Sequence, residues 1–315
     1  MTLRTAGIHH ITSFVADPQR NVDFYAGVLG LHMVKKTINF DAPDVYHLYF
    51  GDAGGSPGTI VTFFPQPGAR KGAVGAGQLG ITVFAVPTGS LDFWKERLTR
   101  LGIRFEPVQR FGEQLLRFED HDGLRIELVE REGGAASTWE WDGITSAQAI
   151  KGFGGGVLFS AAPAKTLHTV EHVLGLTKIA EEDGYVRFQA DGEIGNIIDV
   201  NSRELPRGIA GAGTVHHIAW RAADFAEHEL WREQVQAGGF QPTPVIDRQY
   251  FNAVYFREEG GILFEIATDP PGFANDEPAD QLGQKLMLPE WYEPQRELIE
   301  QNLLPIEVRK ISPQS

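Results

Sequence analysis

The chain has 315 residues, 42% of them hydrophobic, and is long enough to fold into one large or two medium domains. Its formal net charge of -14 argues against binding to nucleic acids or to anionic membranes, because both require clustered positive charge. The absence of cysteine excludes disulfides, thiolate metal sites and a cysteine nucleophile, and no apolar stretch is long enough to span a bilayer.

A repeated order of predicted elements runs through the chain. Apolar runs of strand length and one segment with helical spacing give each copy the order βαβββ. The first copy comprises a strand over 10–15, a helix over 21–29 that Gly30 ends, and strands over 32–40, 45–50 and 60–64. The second copy lies within 77–130 and comprises a strand over 79–86, a helix over 91–101 and strands that end at 124–128.

Two further copies follow in the second half of the chain. The third is weaker and runs from about 152 to 200, with a helix over 164–174 that Gly175 closes. The fourth comprises a strand over 215–219, a helix over 227–236 and strands that reach 264–267.

Four βαβββ modules predict an α+β fold of curved sheets that pair in twos, because each sheet has an apolar face that it cannot bury alone. We expect two half-barrel domains of two modules each, an N-terminal one over 1–135 and a C-terminal one over 149–270. A linker over 131–148 joins them. The C-terminal extension over 271–315 is expected to pack on a barrel mouth or on a neighbouring molecule.

A histidine doublet occurs in the first strand of two modules, as His9-His10 and as His216-His217. Successive side chains of a strand point to opposite faces, so we expect one histidine of each doublet to face a shared pocket unless a bulge intervenes. Glu265 lies on the last strand of the fourth module. Two histidines and one carboxylate are the ligand set that holds non-haem Fe(II) and leaves coordination positions open.

The last strands of the four modules can be aligned by counting four residues past the glycine that precedes each of them. This count places Thr62, Glu127 and Asp199 at the position of Glu265. At the histidine position, modules two and three have Gly80 and approximately Gly156, neither of which can bind a metal. One barrel therefore offers two histidines, a glutamate and a vacant Thr62, whereas the other offers two carboxylates and is expected to keep its architecture without a metal.

The remaining histidines are interpreted as structural. His168 and His172 have the i, i+4 spacing of a zinc pair, but Glu171 does not follow the first histidine as in a metalloprotease helix, so a solvated helix face is favoured. The others have no partner in the repeat: His32, His47, His121 and His228.

These motifs resemble the vicinal oxygen chelate superfamily and, within it, the ring-cleaving dioxygenases that act on hydroquinones. The resemblance covers the four modules and most of the extension. It implies the vicinal oxygen chelate fold and a metal site of His10, His217 and Glu265, drawn from the first and last modules. The implied cofactor is Fe(II), with Mn(II) or Zn(II) as alternatives in a purified sample. A glyoxalase I would supply a fourth protein ligand at Thr62, so its absence favours oxygen chemistry.

The resemblance also implies roles for residues beside the ligands. Thr12, Arg248 and Tyr255 would bind the substrate, and His9, His216, Tyr255 and Arg248 would act in catalysis by moving protons or holding negative charge. From the residues alone, Tyr255 is also compatible with strand packing and Arg248 with a surface ion pair. His9 and His216 are equally compatible with simple packing.

Three functions stay open at this stage. The first is Fe(II)-dependent 1,2-cleavage of a hydroquinone with O2. The second is another enzyme of the superfamily, either a catechol extradiol dioxygenase or a glyoxalase-like isomerase, and the third is a metal-free binding protein, which retention of the triad disfavours. The expected partners are a small aromatic molecule and O2. No binding to nucleic acid or to a membrane is expected, and the sequence is compatible with a homo-oligomer. The N-terminus lacks the pattern of a signal peptide, so we expect a cytoplasmic protein.

Overall fold

Four βαβββ modules make up the computed structural model, which describes residues 2–312. The first module contains β1 (Ile8–Val15), α1 (Pro18–Val22), β2 (His32–Asn39), β3 (Ala42–Gly51) and β4 (Ile60–Pro65). The second contains β5 (Gln78–Val86), α2 (Leu91–Arg100), β6 (Phe105–Arg110), β7 (Glu113–Glu119) and β8 (Arg125–Glu130). The third contains β9 (Gly152–Phe159), α3 (Pro163–His168), β10 (Thr177–Glu182), β11 (Tyr185–Gln189) and β12 (Ile197–Asn201). The fourth contains β13 (Thr214–Ala222), α4 (Phe225–Ala237), β14 (Ile246–Asp247), β15 (Phe251–Arg257) and β16 (Leu263–Pro271).

A capping aspartate sets the start of α1. Asp17 accepts a hydrogen bond from the backbone N–H of Arg20 and is followed by Pro18, so α1 begins three residues before the predicted start. It continues as π-helical turns over Asp23–Val28, and α3 continues in the same way over Thr169–Val173. No helix within 2–312 is long and apolar enough to cross a membrane.

The strands form two eight-stranded sheets, and the predicted α+β fold of paired modules is confirmed. The strand orders are β14-β15-β16-β13-β1-β4-β3-β2 and β10-β11-β12-β9-β5-β8-β7-β6. Modules one and four therefore share one half-barrel, and modules two and three share the other. The half-barrels do not coincide with the predicted segments 1–135 and 149–270, since each combines one module from each segment. The division of the chain at those boundaries stays a prediction.

The C-terminal extension packs on the first sheet of its own chain. Lys35 on β2 is fully buried, and its Nζ lies 2.5 Å from Oδ1 of Asp276 and 2.6 Å from Oε2 of Glu277. Further along, the extension forms α5 (Arg296–Asn302), which buries Ile299. Because a buried ammonium destabilises the fold unless carboxylates compensate its charge, this contact ties the extension to β2.

Buried ion pairs occupy the second half-barrel at the positions aligned with Glu265. The guanidinium of Arg110 binds both carboxylates, with Nη2 2.7 Å from Oε2 of Glu127 and Nε 2.7 Å from Oδ2 of Asp199. Arg117 donates to Glu127, and Arg187 donates twice to Asp199. The two carboxylates are therefore neutralised by arginines.

We predict that Arg110→Met lowers the free energy of unfolding by about 3–5 kcal/mol, because it leaves two buried carboxylates short of a partner. Urea denaturation followed by circular dichroism measures this. As a control, Arg125→Met removes an exposed pair with Glu119 at 3.8 Å and should change stability by less than about 1 kcal/mol. Equal midpoints for Arg110→Met and the wild type would contradict a stabilising role for the buried network.

Candidate metal centre

A β-bulge at each histidine doublet brings both imidazoles of the doublet together. β1 and β13 pair antiparallel, and the pairing skips one residue on each strand, His9 and His216. The flanking pairs are Ile8–Trp220 and His10–Ala219 around the first bulge, and Thr12–His217 and Ser13–Val215 around the second. Because the extra residue breaks the alternation of faces, Nδ1 of His9 lies 2.9 Å from Nδ1 of His10, and Nδ1 of His216 lies 2.8 Å from Nδ1 of His217.

The three predicted ligands converge beside this seam. Nε2 of His10 lies 3.2 Å from Nε2 of His217, and Oε2 of Glu265 lies 3.3 Å from the first nitrogen and 2.8 Å from the second. All three side chains are buried, with exposures of 1%, 4% and 0%. Within the described residues, this is the group of histidine and acidic side chains that meets the spacing of a metal site.

The electrostatics of the triad fit a divalent cation. Both carboxylate oxygens of Glu265 are buried without a hydrogen bond of good geometry from the protein. Burial opposes ionisation of this carboxyl, but the adjacent His10 and His217 outweigh burial and hold the pKa of Glu265 well below its ordinary value. Burial lowers the pKa of His217, which favours the neutral imidazole that binds metals. One anionic and two imidazole ligands with unsatisfied lone pairs therefore face a common point.

The strand register confirms the alignment of the four modules at the glutamate position. Glu265 pairs with Ala219, two residues past His217, and Thr62 pairs with Thr12, two residues past His10. The equivalent pairs in the other sheet are Glu127–Val83 and Asp199–Val157.

The same register corrects the alignment at the histidine position. The residues two before Val83 and Val157 are Ile81 and Gly155, rather than Gly80 and Gly156 as predicted. The first strands of all four modules contain a bulge at the same place, at His9, Gly80, Gly154 and His216, so the residues that follow Gly80 and Gly154 are the ones that align with His10 and His217. Ile81 and Gly155 have no metal-binding side chain, so the conclusion that only one half-barrel carries histidine ligands is unchanged.

Thr62, at the position of a fourth ligand, uses its hydroxyl for hydrogen bonds within the protein. Its Oγ1 lies 2.9 Å from Oγ1 of Thr12 and 2.8 Å from Nε2 of His47. Thr12 and Thr62 are fully buried and do not line the cavity described below, so any effect of Thr12 on a substrate would have to act through Thr62 and His47.

A cavity of about 330 Å³ opens beside the triad. Cavities of this size and mixed lining hold small organic ligands. Three of the predicted residues outside the triad reach it, namely His216, Arg248 and Tyr255. The other lining residues include two ligands and a largely aromatic wall: His10, His217, Phe14, Phe40, His47, Tyr49, Phe64 and Phe251.

The two doublet histidines that do not belong to the triad, His9 and His216, differ in their access to this cavity. His216 is half-buried and lines it, and burial lowers the pKa of His216 to about 3. His9 is 2% exposed, lies behind His10 and does not line the cavity. Any role of His9 in catalysis would therefore act through His10.

Arg248 and Tyr255 form one polar wall of the cavity. Nε of Arg248 donates to the hydroxyl of Tyr255 at 3.4 Å, and its Nη1 donates to Asp41 at 3.1 Å. The Tyr255 ring lies 5.6 Å from the His217 ring, and Tyr255 is the cross-strand partner of Glu265. Burial and the charge of Glu265 raise the pKa of Tyr255, so its hydroxyl stays protonated and can donate.

Sequence reasoning missed His47 and Tyr49. His47 was interpreted as structural, and the structure places it in the lining of the cavity together with Tyr49. The available signal was the repeat itself, because Tyr49 pairs with Thr62 as Tyr255 pairs with Glu265.

Four other histidines that were interpreted as structural do not line this cavity. His228 is buried and its Nε2 donates to the carbonyl of Ile266 at 2.8 Å. His32 stacks on Trp139, with ring centres 3.9 Å apart. His168 and His172 are exposed on their helix.

Comparison with known proteins places this geometry in a family. The model of the Glyoxalase/Bleomycin resistance protein/Dioxygenase superfamily matches residues 7–128 and 156–266. The chain belongs to this superfamily. It is 54% identical over 311 residues, 99% of its length, to a Bacillus subtilis protein provisionally named ring-cleaving dioxygenase MhqO, which is covered completely. It is 32% identical to a chlorohydroquinone/hydroquinone 1,2-dioxygenase of Sphingobium indicum, over 96% of this chain and 95% of that protein.

A solved structure agrees with the sequence relatives. The crystal structure of a provisionally assigned dioxygenase from Bacillus subtilis superimposes with a TM-score of 0.97 at 54% identity, covering 98% of this chain and 99% of the other. Relatives named as ring-cleaving dioxygenases support an oxygenase enzyme, and dioxygenases of this superfamily depend on a metal.

We predict one divalent ion per chain and a loss of metal affinity of more than about 100-fold in Glu265→Gln, because a charged ligand is removed. His9→Ala and His216→Ala should lose about 10–100-fold at most, the range for residues that orient ligands. Equilibrium dialysis with Fe(II) under anaerobic conditions measures these affinities. Glu127→Gln, at the aligned position of the other half-barrel, is the matched control and should bind metal like the wild type. Equal losses in all four variants would contradict the assignment.

Proposed function

We propose that the chain is an Fe(II)-dependent dioxygenase that cleaves a hydroquinone-type ring between a hydroxylated carbon and its neighbour. The observation that carries the proposal is the convergence of His10, His217 and Glu265 at a cavity of about 330 Å³. The name of the Sphingobium indicum relative, a hydroquinone 1,2-dioxygenase, supports the choice of substrate class. The overall reaction adds both atoms of O2 across the broken bond, so hydroquinone itself would give 4-hydroxymuconic semialdehyde.

The triad would hold the metal through two imidazole nitrogens and one carboxylate. When bound there, Fe(II) supplies Lewis acidity that favours a phenolate and an open position for O2. His9 and His216 orient the ligand rings through their Nδ1 contacts, as partners behind metal-binding histidines commonly do.

The polar wall orients the ring. The hydroxyls of a hydroquinone are para, so only one oxygen can lie at the triad, whereas a catechol brings two adjacent oxygens. A ring held through one oxygen needs side chains that fix its orientation. Tyr255, the cross-strand partner of Glu265, and Arg248, which donates to Tyr255, are placed to do this. Tyr255 can donate a proton, and the guanidinium of Arg248 stabilises negative charge that develops on the substrate.

The cavity also bears on the alternatives. A glyoxalase-like isomerase would use a fourth protein ligand, and the hydroxyl of Thr62 is engaged by Thr12 and His47 instead. A catechol extradiol dioxygenase would use the same three ligands, so substrate preference has to separate it from the proposed activity. A metal-free binding protein would have no use for the buried, ionised Glu265.

We predict that the protein reconstituted anaerobically with Fe(II) consumes O2 faster with hydroquinone, methylhydroquinone or chlorinated hydroquinones than with catechol. An oxygen electrode measures the rates, and reconstitution with Mn(II) or Zn(II) tests the choice of metal. Faster turnover of catechol would contradict the hydroquinone assignment and favour the extradiol alternative.

We also predict that Arg248→Ala and Tyr255→Phe lower kcat for hydroquinone by about 100-fold, the usual effect of removing a donor to developing charge. Iron content, measured by elemental mass spectrometry, should stay near that of the wild type, because neither residue belongs to the triad. Arg125→Ala, on the exposed surface of the other half-barrel, is the control and should keep full activity. Wild-type turnover in both cavity variants would mean that this wall does not orient the ring.

A further inference from the structure

The repeat places a second tyrosine at the same cavity. Tyr255 on β15 pairs with Glu265, and Tyr49 on β3 pairs with Thr62. In the sheet, β15 and β3 lie two strands away from the central β1–β13 pair on opposite sides. Both tyrosines line the cavity, so Tyr49 is the counterpart of Tyr255 on the opposite wall.

A hydrogen-bonded chain holds Tyr49 in place. Its hydroxyl lies 2.8 Å from Nδ1 of His47, and Nε2 of His47 lies 2.8 Å from Oγ1 of Thr62. Oγ1 of Thr62 in turn lies 2.9 Å from Oγ1 of Thr12. The His47 ring also packs on the rings of Tyr49 and Phe64, with centres 4.1 and 4.4 Å apart. Tyr49 therefore has a fixed position and a fixed partner.

The hydroxyl of Tyr49 keeps one hydrogen-bonding function for a ligand. A phenol has one O–H donor and can also accept. If Tyr49 donates to His47, its oxygen remains free to accept, and if His47 donates to Tyr49, the O–H remains free to donate. The imidazole has both tautomers available, so the pair can serve a ligand hydroxyl in either sense.

The two walls differ in charge. Tyr255 contacts the cation of Arg248 and lies beside the anionic Glu265, whereas Tyr49 contacts an imidazole. Burial, together with the nearby His10 and His217, lowers the pKa of His47 well below its ordinary value, so this wall is neutral. A charged wall and a neutral wall suit a ring that is ionised at one oxygen and protonated at the other.

We infer that Tyr49 binds the hydroxyl para to the oxygen that lies at the triad, and that His47 is the positioning residue for Tyr49. The inference rests on the proposed function for the orientation of the ring. It adds the second point of recognition, which selects a 1,4-dihydroxylated ring over a phenol with a single oxygen.

A binding cycle tests this contact apart from catalysis. The protein is loaded with Zn(II), and calorimetry measures the affinity for hydroquinone and for phenol, which lacks the para hydroxyl. Tyr49→Phe should weaken hydroquinone binding about fivefold, equal to about 1 kcal/mol or one net hydrogen bond, and should change phenol binding less than about twofold. Tyr255→Phe should weaken both ligands equally, because it faces the oxygen that the two share.

Further variants separate a contact from a structural effect. His47→Phe should reproduce the selective loss, and Tyr49→Phe/His47→Phe should lose no more than Tyr49→Phe alone, because both act through one hydroxyl. Tyr46→Phe is the matched control, since Tyr46 lies on the same strand but belongs to the hydrophobic core, and it should bind both ligands normally. Thermal unfolding verifies that each variant is folded.

Two outcomes would overturn the inference. Equal weakening of hydroquinone and phenol by Tyr49→Phe would indicate a general change in the cavity, and an unchanged affinity for both would exclude the contact. The proposed function has a separate test, because it is contradicted if the Fe(II)-loaded protein consumes no O2 with any hydroquinone. The binding cycle with Zn(II) gives its result in either case.

Discussion

The antiparallel pairing of β1 with β13 is the interaction on which the candidate site depends. It joins histidines 207 residues apart and contains one extra residue on each strand. These two bulges turn each doublet into a predicted ligand and a neighbouring imidazole that contacts it through Nδ1. A regular ladder would send His9 and His216 to the opposite face from their neighbours and remove the Nδ1 contacts.

The two half-barrels show how one backbone arrangement serves two purposes. At the aligned strand positions, one sheet has tyrosines beside Glu265 and Thr62, and the other has Arg117 and Arg187 beside Glu127 and Asp199. Arginine neutralises a buried carboxylate permanently, whereas tyrosine leaves Glu265 free to bind a cation. The difference between a structural core and a metal centre therefore lies both in the histidines of the first strands and in the residue on the strand next to the carboxylate.

The sequence predicts the modules and the triad well, because hydrophobic periodicity is local and the ligand types are distinctive. The matched ligands of modules one and four already place these two modules in one barrel, whereas the predicted segments 1–135 and 149–270 follow chain order, because pairing across 200 residues has no local pattern. Gly80 was aligned with His10 although it occupies the bulge that His9 occupies in β1, because a bulge has no distinctive local sequence pattern. His47 was overlooked because its counterpart on β15, two residues before Tyr255, is Ala253.

The nesting of modules two and three between modules one and four has a consequence for synthesis. The second half-barrel is built from modules that are adjacent in the chain, whereas β1 must wait for β13 before its edge is paired. A ribosome makes about 5–20 residues per second, so β1 spends on the order of ten seconds or more without its partner. The triad can therefore assemble only after Glu265 on β16 has been synthesised and has joined the seam.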